Sequence, residues 1–302
     1  MSDTSQRRGD AGRHVQSDPS ALAAGAQGSS IIQYRARLRD KGGWALTQRT
    51  EKMGDIELEI VEEGSGAPLL FLHSGQGFDA THPFVGPFSQ ARRMIAPSHP
   101  GFGGSSLPDW LDRIDDIAFV YLELMDRLDL ATVEIVGCSI GGWIAAELAT
   151  IVPERISRLV LVGPVGVKTG PVGELDIPDI FVLGQDEVND LLFHDADKYR
   201  MDPAKLSDAQ LEKAVRNRES LALLTWEPYM HNPKLKHRLH RAAMPALLIR
   251  GAHDGLVSDS YLERYAALLP NARTMAIADA GHAPQIERPE QFTEAVLSFL
   301  DE

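Results

Sequence analysis

Thr132-Val-Glu-Ile-Val-Gly-Cys-Ser139-Ile-Gly-Gly-Trp-Ile-Ala-Ala-Glu-Leu148 reads as a strand, a sharp turn and a helix in immediate succession. Val133 to Val136 is β-rich, and the small residues and leucine after Gly141 recur at helical spacing. A serine on so tight a turn has its hydroxyl pushed out at the carboxyl end of a strand. The backbone N–H groups of the next helix then lie beside it. Gly137 and Gly141 flank the serine where a Cβ would collide, and Gly141 with Gly142 lets the helix lie close to the strand it leaves. The pattern by itself also fits a serine N-cap on a core helix, so the rest of the chain must decide its meaning.

At 302 residues and 43% hydrophobic the chain can bury a full core, most simply one large α/β domain with an insertion. A net charge of -13 argues against a polyanion such as nucleic acid as the main partner and fits a non-ionic or weakly charged small-molecule substrate. Residues 1–50 go the other way, with eight Lys/Arg against four Asp/Glu, which sets the N-terminus apart. The single cysteine, Cys138, rules out an internal disulfide framework and any multi-Cys zinc site, and reads as a small buried residue beside the turn. No apolar run approaches the length that spans a bilayer, and Ala21 to Ala26 is too short and glycine-broken for a signal segment, so a cytoplasmic protein without membrane partners is expected. A homo-oligomer stays open.

Residues 1 to about 30 hold almost nothing to bury and are expected to be a flexible arm. Ile31 to Trp44 mixes apolar residues with Arg35, Arg37, Arg39 and Lys41, and is expected to form a solvated or amphipathic helix. Leu46–Lys52 and Ile56–Glu62 alternate at period two around Met53-Gly54-Asp55 and read as a hairpin. Pro68–His73 is a continuous apolar run, the mark of a strand covered on both faces, and Arg92–Pro97 is another short strand. A helical face over Asp115–Leu130, the Ser139 unit and a buried strand at Ser157–Gly163 continue the alternation. Such alternation gives a parallel sheet wrapped on both sides. From about 168 to 240 it stops: Asp186–Phe193 and a helix opened by the capping box Ser207-Asp-Ala-Gln210 mark a helical insertion. Strands resume at Pro245–Gly251 and Arg273–Ala278, with a helix near 258–268 between them and a closing helix opened by Pro289. The predicted organisation is an arm at 1–45, a core at 46–167, the insertion at 168–240 and the rest of the core at 241–302.

A serine hydroxyl is a poor nucleophile near neutrality unless a base takes its proton, and the base needs a third group to orient it. Asp254, in Gly251-Ala-His-Asp254, and His282, in Gly281-His282-Ala-Pro, each follow a late strand, where a parallel sheet places its active site. The order Ser139, Asp254, His282 is that of an α/β-hydrolase triad. Asp254 could instead serve only its Asp-Gly turn. The loop Gly163-Pro-Val-Gly-Val167 offers no competing carboxylate, Asp279 is too near His282 in sequence for an obvious orienting contact, and His253 is expected to point elsewhere.

The chain from about 46 to 302 resembles the lid-bearing α/β-hydrolase superfamily. The resemblance rests on His73-Ser-Gly75, Pro100-Gly-Phe-Gly-Gly-Ser105, the Gly137-Cys-Ser-Ile-Gly-Gly142 turn, Gly251-x-x-Asp254 and Gly281-His-Ala-Pro284. It implies a mostly parallel, doubly wound sheet with a helical lid, and an oxyanion hole made by the N–H groups of Gly75 and Ile140. Ser74 stands where the family usually has glycine, so Gln76 could lend a side chain there. Ser98 stands where aspartate is common, and its loop reads as scaffold. His73 and His99 read as structural. The lid would cover the triad, with Phe181, Leu191, Leu192, Phe193, Leu223, Trp226, Tyr229 and Met230 as candidate pocket walls, and Phe193, Trp226 and Tyr229 foremost for substrate. The basic stripe Lys234–Arg241 reads as a solvated face, with a substrate carboxylate site as the alternative.

These motifs need neither metal nor cofactor. They imply a carboxylesterase-like serine hydrolase cleaving a small ester or lactone. The same framework serves carbon–carbon bond hydrolysis of diketone-like substrates, and a ligand-binding protein that keeps a hydrolase pocket is the reading from another class.

Overall fold

The computed structural model describes residues 36–39, 45–171 and 173–302. The expected arm at 1–30 lies outside them. Among the described residues nine strands form one sheet: β1 Ala36–Arg39, β2 Ala45–Met53, β3 Ile56–Glu63, β4 Pro68–Leu72, β5 Arg93–Pro97, β6 Val133–Cys138, β7 Ile156–Val162, β8 Ala246–Gly251 and β9 Ala272–Ile277. Their order is β1-β2-β3-β5-β4-β6-β7-β8-β9. The first three and β5 pair antiparallel, and every pair from β5 to β9 is parallel.

Period-two alternation sorts the strand residues onto two cores. Leu70, Ile135, Leu159, Leu161 and Leu248 face α2 (Ile114–Arg127), α3 (Ile140–Ile151) and α7 (Asp259–Ala266). Leu69, Phe71, Val136, Val160 and Ile249 face α1 (Val85–Ala91) and α8 (Pro289–Leu300). Phe71, Phe84, Phe88 and Phe292 pack ring against ring on that second face, with neighbouring centroids 4.9–6.3 Å apart.

One expectation fails at the start of the sheet. Ala36–Arg39 is a strand, paired antiparallel with β2 from Ala36 opposite Gln48 to Arg39 opposite Ala45, and not a helix. Ala-Arg-Leu-Arg alternates at period two, and the otherwise open edge of β2 supplies a ladder for it. The sheet therefore begins about ten residues before the boundary drawn near 46.

Between β7 and β8 lies the insert, with α4 (Gln185–Leu192), α5 (Ala196–Tyr199) and α6 (Asp208–Thr225). Ser207 caps α6 and exchanges side-chain and backbone hydrogen bonds with Gln210, the expected capping box. Lys234–Arg241 is not one helix: it forms two short 3₁₀ turns whose Leu235 and Leu239 are fully buried. Arg238 lies 3.8 Å from the buried Glu147 of α3, so this stripe is an anchor for the end of the insert. Among the described residues no helix is long and apolar enough to cross a membrane.

Candidate active site

Every residue of β6 is buried, and its last peptide leads into a backbone that only strong local constraint can hold. Ser139 has φ 54° and ψ -114°, a sparsely populated conformation that costs roughly 1–3 kcal/mol. Its N–H donates to Val162 O at 2.8 Å and its carbonyl accepts the N–H of Trp143 at 3.1 Å, which fix the turn from both sides. A Cβ on Gly141 would stand 2.2 Å from Leu72 O, so the helix start and the end of β4 touch through glycine alone. Ser139 occupies the N-cap position of α3, yet its side chain makes no capping bond. The hydroxyl turns instead to His282, with Oγ 2.9 Å from Nε2.

His282 Nδ1 lies 2.9 Å from Asp254 Oδ2. A carboxylate only accepts, so Nδ1 carries the proton and Nε2 presents its lone pair to Ser139. The other oxygen of Asp254 accepts the N–H groups of Leu256 and Val257, both at 2.9 Å, which sets the carboxylate's orientation. Both side chains are buried. Gly163, at the end of β7, completes the seat: its φ is 51°, and a Cβ there would meet the His282 ring at 2.9 Å. In the sequence Gly163 carries no signal of this role, since its loop stands out only for lacking a carboxylate.

On the other side of Ser139 the loop after β4 is pinned by two histidines. His73 Nδ1 donates to Ser74 O at 2.7 Å, and Nε2 accepts the N–H of His99 at 2.9 Å. His99 Nε2 donates to His73 O at 2.8 Å, and its Nδ1 accepts the Tyr121 hydroxyl. Burial pushes the His73 imidazole down to about 4; burial and then the neighbouring His73 push His99 well below its ordinary value. Both are neutral spacers, as expected of structural histidines. Ser74 O also accepts the N–H of Gly77 at 2.9 Å. In a planar trans peptide the N–H points away from the carbonyl, so the Gly75 N–H is aimed off this hydrogen-bonded cluster. Ser98 donates to Glu59 Oε2 at 2.8 Å; Glu59, from β3, also accepts the Gly104 N–H, so it holds this loop.

The insert braces all of these loops. Leu191 O accepts the N–H of Gly255 at 3.1 Å and Leu192 O that of His282 at 2.7 Å. Glu287, 3% exposed, accepts the N–H of Gly281 with one oxygen and that of Asp195 with the other. From α6, Asn217 donates to Gln76 O and accepts the Gly103 N–H, Ser220 donates to Gly101 O, and Leu221 packs over Gly75. The roles of Glu287 and Asn217 were not read from the sequence; a buried polar residue carries no periodic signal.

A cavity of about 490 Å³ opens beside this centre. Ser139 and His282 are not in its wall; Cys138, the residue before Ser139, lines it, as does Ser74 of the loop after β4. Phe71, Phe84, Phe193 and Tyr199 supply apolar surface and Lys213 and Gln285 polar groups. Lys213 donates to Phe78 O at 3.2 Å. Gln285 is 5% exposed and its Oε1 has no partner among the described residues. Burial pushes the Cys138 thiol far up, so it stays an inert part of the wall.

Of the expected pocket residues, only Phe193 lines this cavity. Trp226 is 54% exposed and Leu223 63%, both on the outer side of the insert, and Trp226 packs against Phe181 with centroids 5.7 Å apart. Tyr229 is committed elsewhere: its hydroxyl donates to Pro178 O at 2.6 Å and accepts the Ile180 N–H at 3.0 Å. An aromatic ring on an insert can bolt the insert to itself as readily as face a ligand, and sequence does not distinguish the two. Asp279, the competing acid, is exposed.

Comparison with known proteins identifies the family. The family model described as alpha/beta hydrolase family matches residues 69–295. A 2-hydroxymuconate semialdehyde hydrolase of Pseudomonas putida is 29% identical over 80% of this chain and 89% of its own length. A 2-hydroxy-6-oxononadienedioate/2-hydroxy-6-oxononatrienedioate hydrolase of Burkholderia vietnamiensis is 30% identical over 82% and 91%. Among solved structures, a meta-cleavage product hydrolase of Pseudomonas fluorescens superposes with a TM-score of 0.69 at 20% identity, covering 84% of this chain and 97% of that one. A carboxylesterase of Bacillus subtilis does so with 0.66 at 22% identity, over 84% and 91%. The chain is an enzyme and belongs to the alpha/beta hydrolase family.

Proposed function

We propose that this enzyme is a serine hydrolase that cleaves a small ester or lactone through an acyl-enzyme, with Ser139 as nucleophile, His282 as base and Asp254 as orienting acid. The observation that carries the reading is the continuous chain of 2.9 Å contacts from Asp254 through His282 to the Ser139 hydroxyl. Ser139 Oγ attacks the acyl carbon as its proton passes to His282 Nε2, and Asp254 stabilises the imidazolium. The N–H groups of Ile140 and Gly75 hold the developing oxyanion; a donor of this kind is worth about 3 kcal/mol of barrier. The tetrahedral intermediate collapses to an acyl-serine as His282 returns the proton to the leaving alkoxide. Water, deprotonated by the same ring, then releases the acid.

The insert acts as a lid, and Phe71, Phe84, Phe193 and Tyr199 favour an apolar acyl or aromatic group in the cavity. The second reading is carbon–carbon bond hydrolysis of a diketone-like substrate on the same residues, favoured by the names of the relatives at 29–30% identity. A substrate of that type bearing a carboxylate wants an uncompensated cation, whereas the charge of Lys213 in the cavity wall is offset by the nearby Asp79 carboxylate. That charge balance supports the ester reading.

A panel of p-nitrophenyl esters, lactones and a chromophoric dienol diketone separates the readings. We expect turnover of the esters or lactones, abolished in Ser139→Ala, and a fluorophosphonate probe on Ser139 alone by peptide mapping. Preferred cleavage of the dienol would move the assignment to the second reading. Probe labelling that persists in Ser139→Ala would remove Ser139 from its role.

A further inference from the structure

Three side chains with no part in the proposed catalysis converge where the insert meets the core. His194 follows α4, His253 lies in the loop after β8, and Asp279 lies in the loop after β9. Each offers one donor atom, and these atoms all lie within 4.8 Å of one another. The two imidazoles are stacked, with centroids 4.0 Å apart and planes 26° from parallel. All three residues are exposed, so an ion has a path to them.

Their backbones are held independently of the side chains. His253 donates its N–H to Ala280 O at 2.8 Å, which ties the β8 loop to the β9 loop. Gly281 lets the insert approach: a Cβ there would fall 2.6 Å from Leu192 O and 2.8 Å from His194 N. Asp279 has φ 52°. The cluster is therefore carried on three segments already locked in register, and only side-chain torsions are left to adjust. Zinc–ligand bonds of about 2.0–2.2 Å bring donor atoms to roughly 3.4 Å from one another, which exposed side chains in this arrangement reach by small rotations.

We propose that His194, His253 and Asp279 bind one divalent transition-metal ion of the zinc class. Two imidazoles and a carboxylate suit zinc, nickel or copper; calcium and magnesium prefer all-oxygen sets. Three protein ligands leave a fourth position of the tetrahedron for water. The ion joins the insert, through His194, to the loops bearing Asp254 and His282. It thus reinforces the backbone bonds of Leu191 and Leu192 and favours the closed arrangement of the insert. Its role is a structural clamp, separate from the hydrolytic chemistry, and the inference does not depend on which bond is cleaved.

The full chain, stripped with chelator and titrated with ZnCl₂ by calorimetry, should bind one saturable equivalent, and its melting temperature should rise by several degrees and fall again on chelation. His194→Ala and His253→Ala should each lose at least tenfold in affinity and most of the thermal shift, with their metal-free melting temperatures near that of the wild type. His240→Ala, an exposed histidine elsewhere, should retain both. Absence of a saturable equivalent, or binding undiminished in both His194→Ala and His253→Ala, would overturn the proposal. Failure of Ser139 to react with a fluorophosphonate would leave it untouched.

Discussion

Asp254 gives one carboxylate oxygen to His282 Nδ1 at 2.9 Å and the other to two backbone N–H groups of its own loop, Leu256 and Val257. The acid is thus oriented by the chain and in turn orients the ring. Asp279, three residues before His282, is exposed and stands with His194 and His253 instead.

Asp254→Asn is expected to keep the fold, since an amide oxygen can still accept from Leu256 or Val257, while kcat falls on the order of 10⁴, as in a related triad. The amide can donate where the carboxylate accepts, which leaves the wrong tautomer facing Ser139. KM should change far less than kcat. Asp279→Asn, assayed without added metal, should cost less than about tenfold. Steady-state kinetics of the two variants check this, and exchanged phenotypes would make Asp279 the acid.

Gln285 is the one residue of the cavity wall that is both buried and left with an unpartnered side-chain oxygen among the described residues. A buried polar atom without a partner costs about 1–3 kcal/mol, which a bound ligand's donor would relieve. Gln285→Leu should therefore raise the melting temperature or leave it unchanged, while weakening substrates that carry a hydroxyl or N–H donor on the acyl group. The comparison is kcat/KM for a matched pair of esters with and without that donor. Equal losses for both members of the pair would show that Gln285 only shapes the cavity.

What the sequence made legible follows from where the physical signal lies. Continuous apolar runs such as Leu69–Leu72 and Ala246–Ile249, short and bounded by turn residues, read as strands covered on both faces, and punctuation by Gly137, Gly141 and Pro289 marks the turns and helix starts. Ser139, Asp254 and His282 could be singled out because each lies just after a strand end, and the topology brings these ends to one edge, where the three side chains meet. The insert was readable only as helix. On α6, Asn217 is 3% exposed and Val215 60%, an inversion of the usual apolar-inward pattern that defeats any reading by periodicity. Trp226 and Tyr229 looked like pocket walls for the same reason. The His194, His253 and Asp279 cluster has no sequence motif, because its members lie 59 and 26 residues apart and meet only through the insert's return onto the sheet.

Glu287 accepts from Gly281 beside His282 and from Asp195 on the insert. Glu287→Ala would leave the buried Gly281 N–H without a partner, at about 1–3 kcal/mol, and would release the N–H of the exposed Asp195 on the insert. We expect a lower melting temperature and a 10- to 100-fold loss in kcat as the His282 loop loosens, with partial recovery in Glu287→Gln, which keeps one acceptor. A melting-temperature loss with kcat unchanged would confine Glu287 to stability.

Stability should also report the buried pair His73 and His99. Burial holds His73 down at about 4 and His99 well below its ordinary value, whereas both titrate near 6.5 in an unfolded chain. Above pH 6.5 both states are neutral and the full stability is present. As pH falls from 6.5 towards 4 the unfolded chain takes up protons that the folded chain refuses, so unfolding becomes easier by up to about 1.4 kcal/mol per pH unit for each histidine. Glu147 works against this at the acid end: burial raises its carboxyl, so the folded state gains a proton first and is favoured as pH falls through that range. Denaturant unfolding at pH 7.5, 6.5, 5.5 and 4.5 should therefore show a flat upper region and a steep loss below 6.5. In the double variant His73→Gln, His99→Gln the starting stability drops, because the bonds to Ser74 and Tyr121 are altered, but the slope between 6.5 and 4.5 should flatten by nearly two protons. A slope equal to the wild type's would mean that the acid sensitivity resides in other groups, with His82, which burial also lowers, as the next to replace.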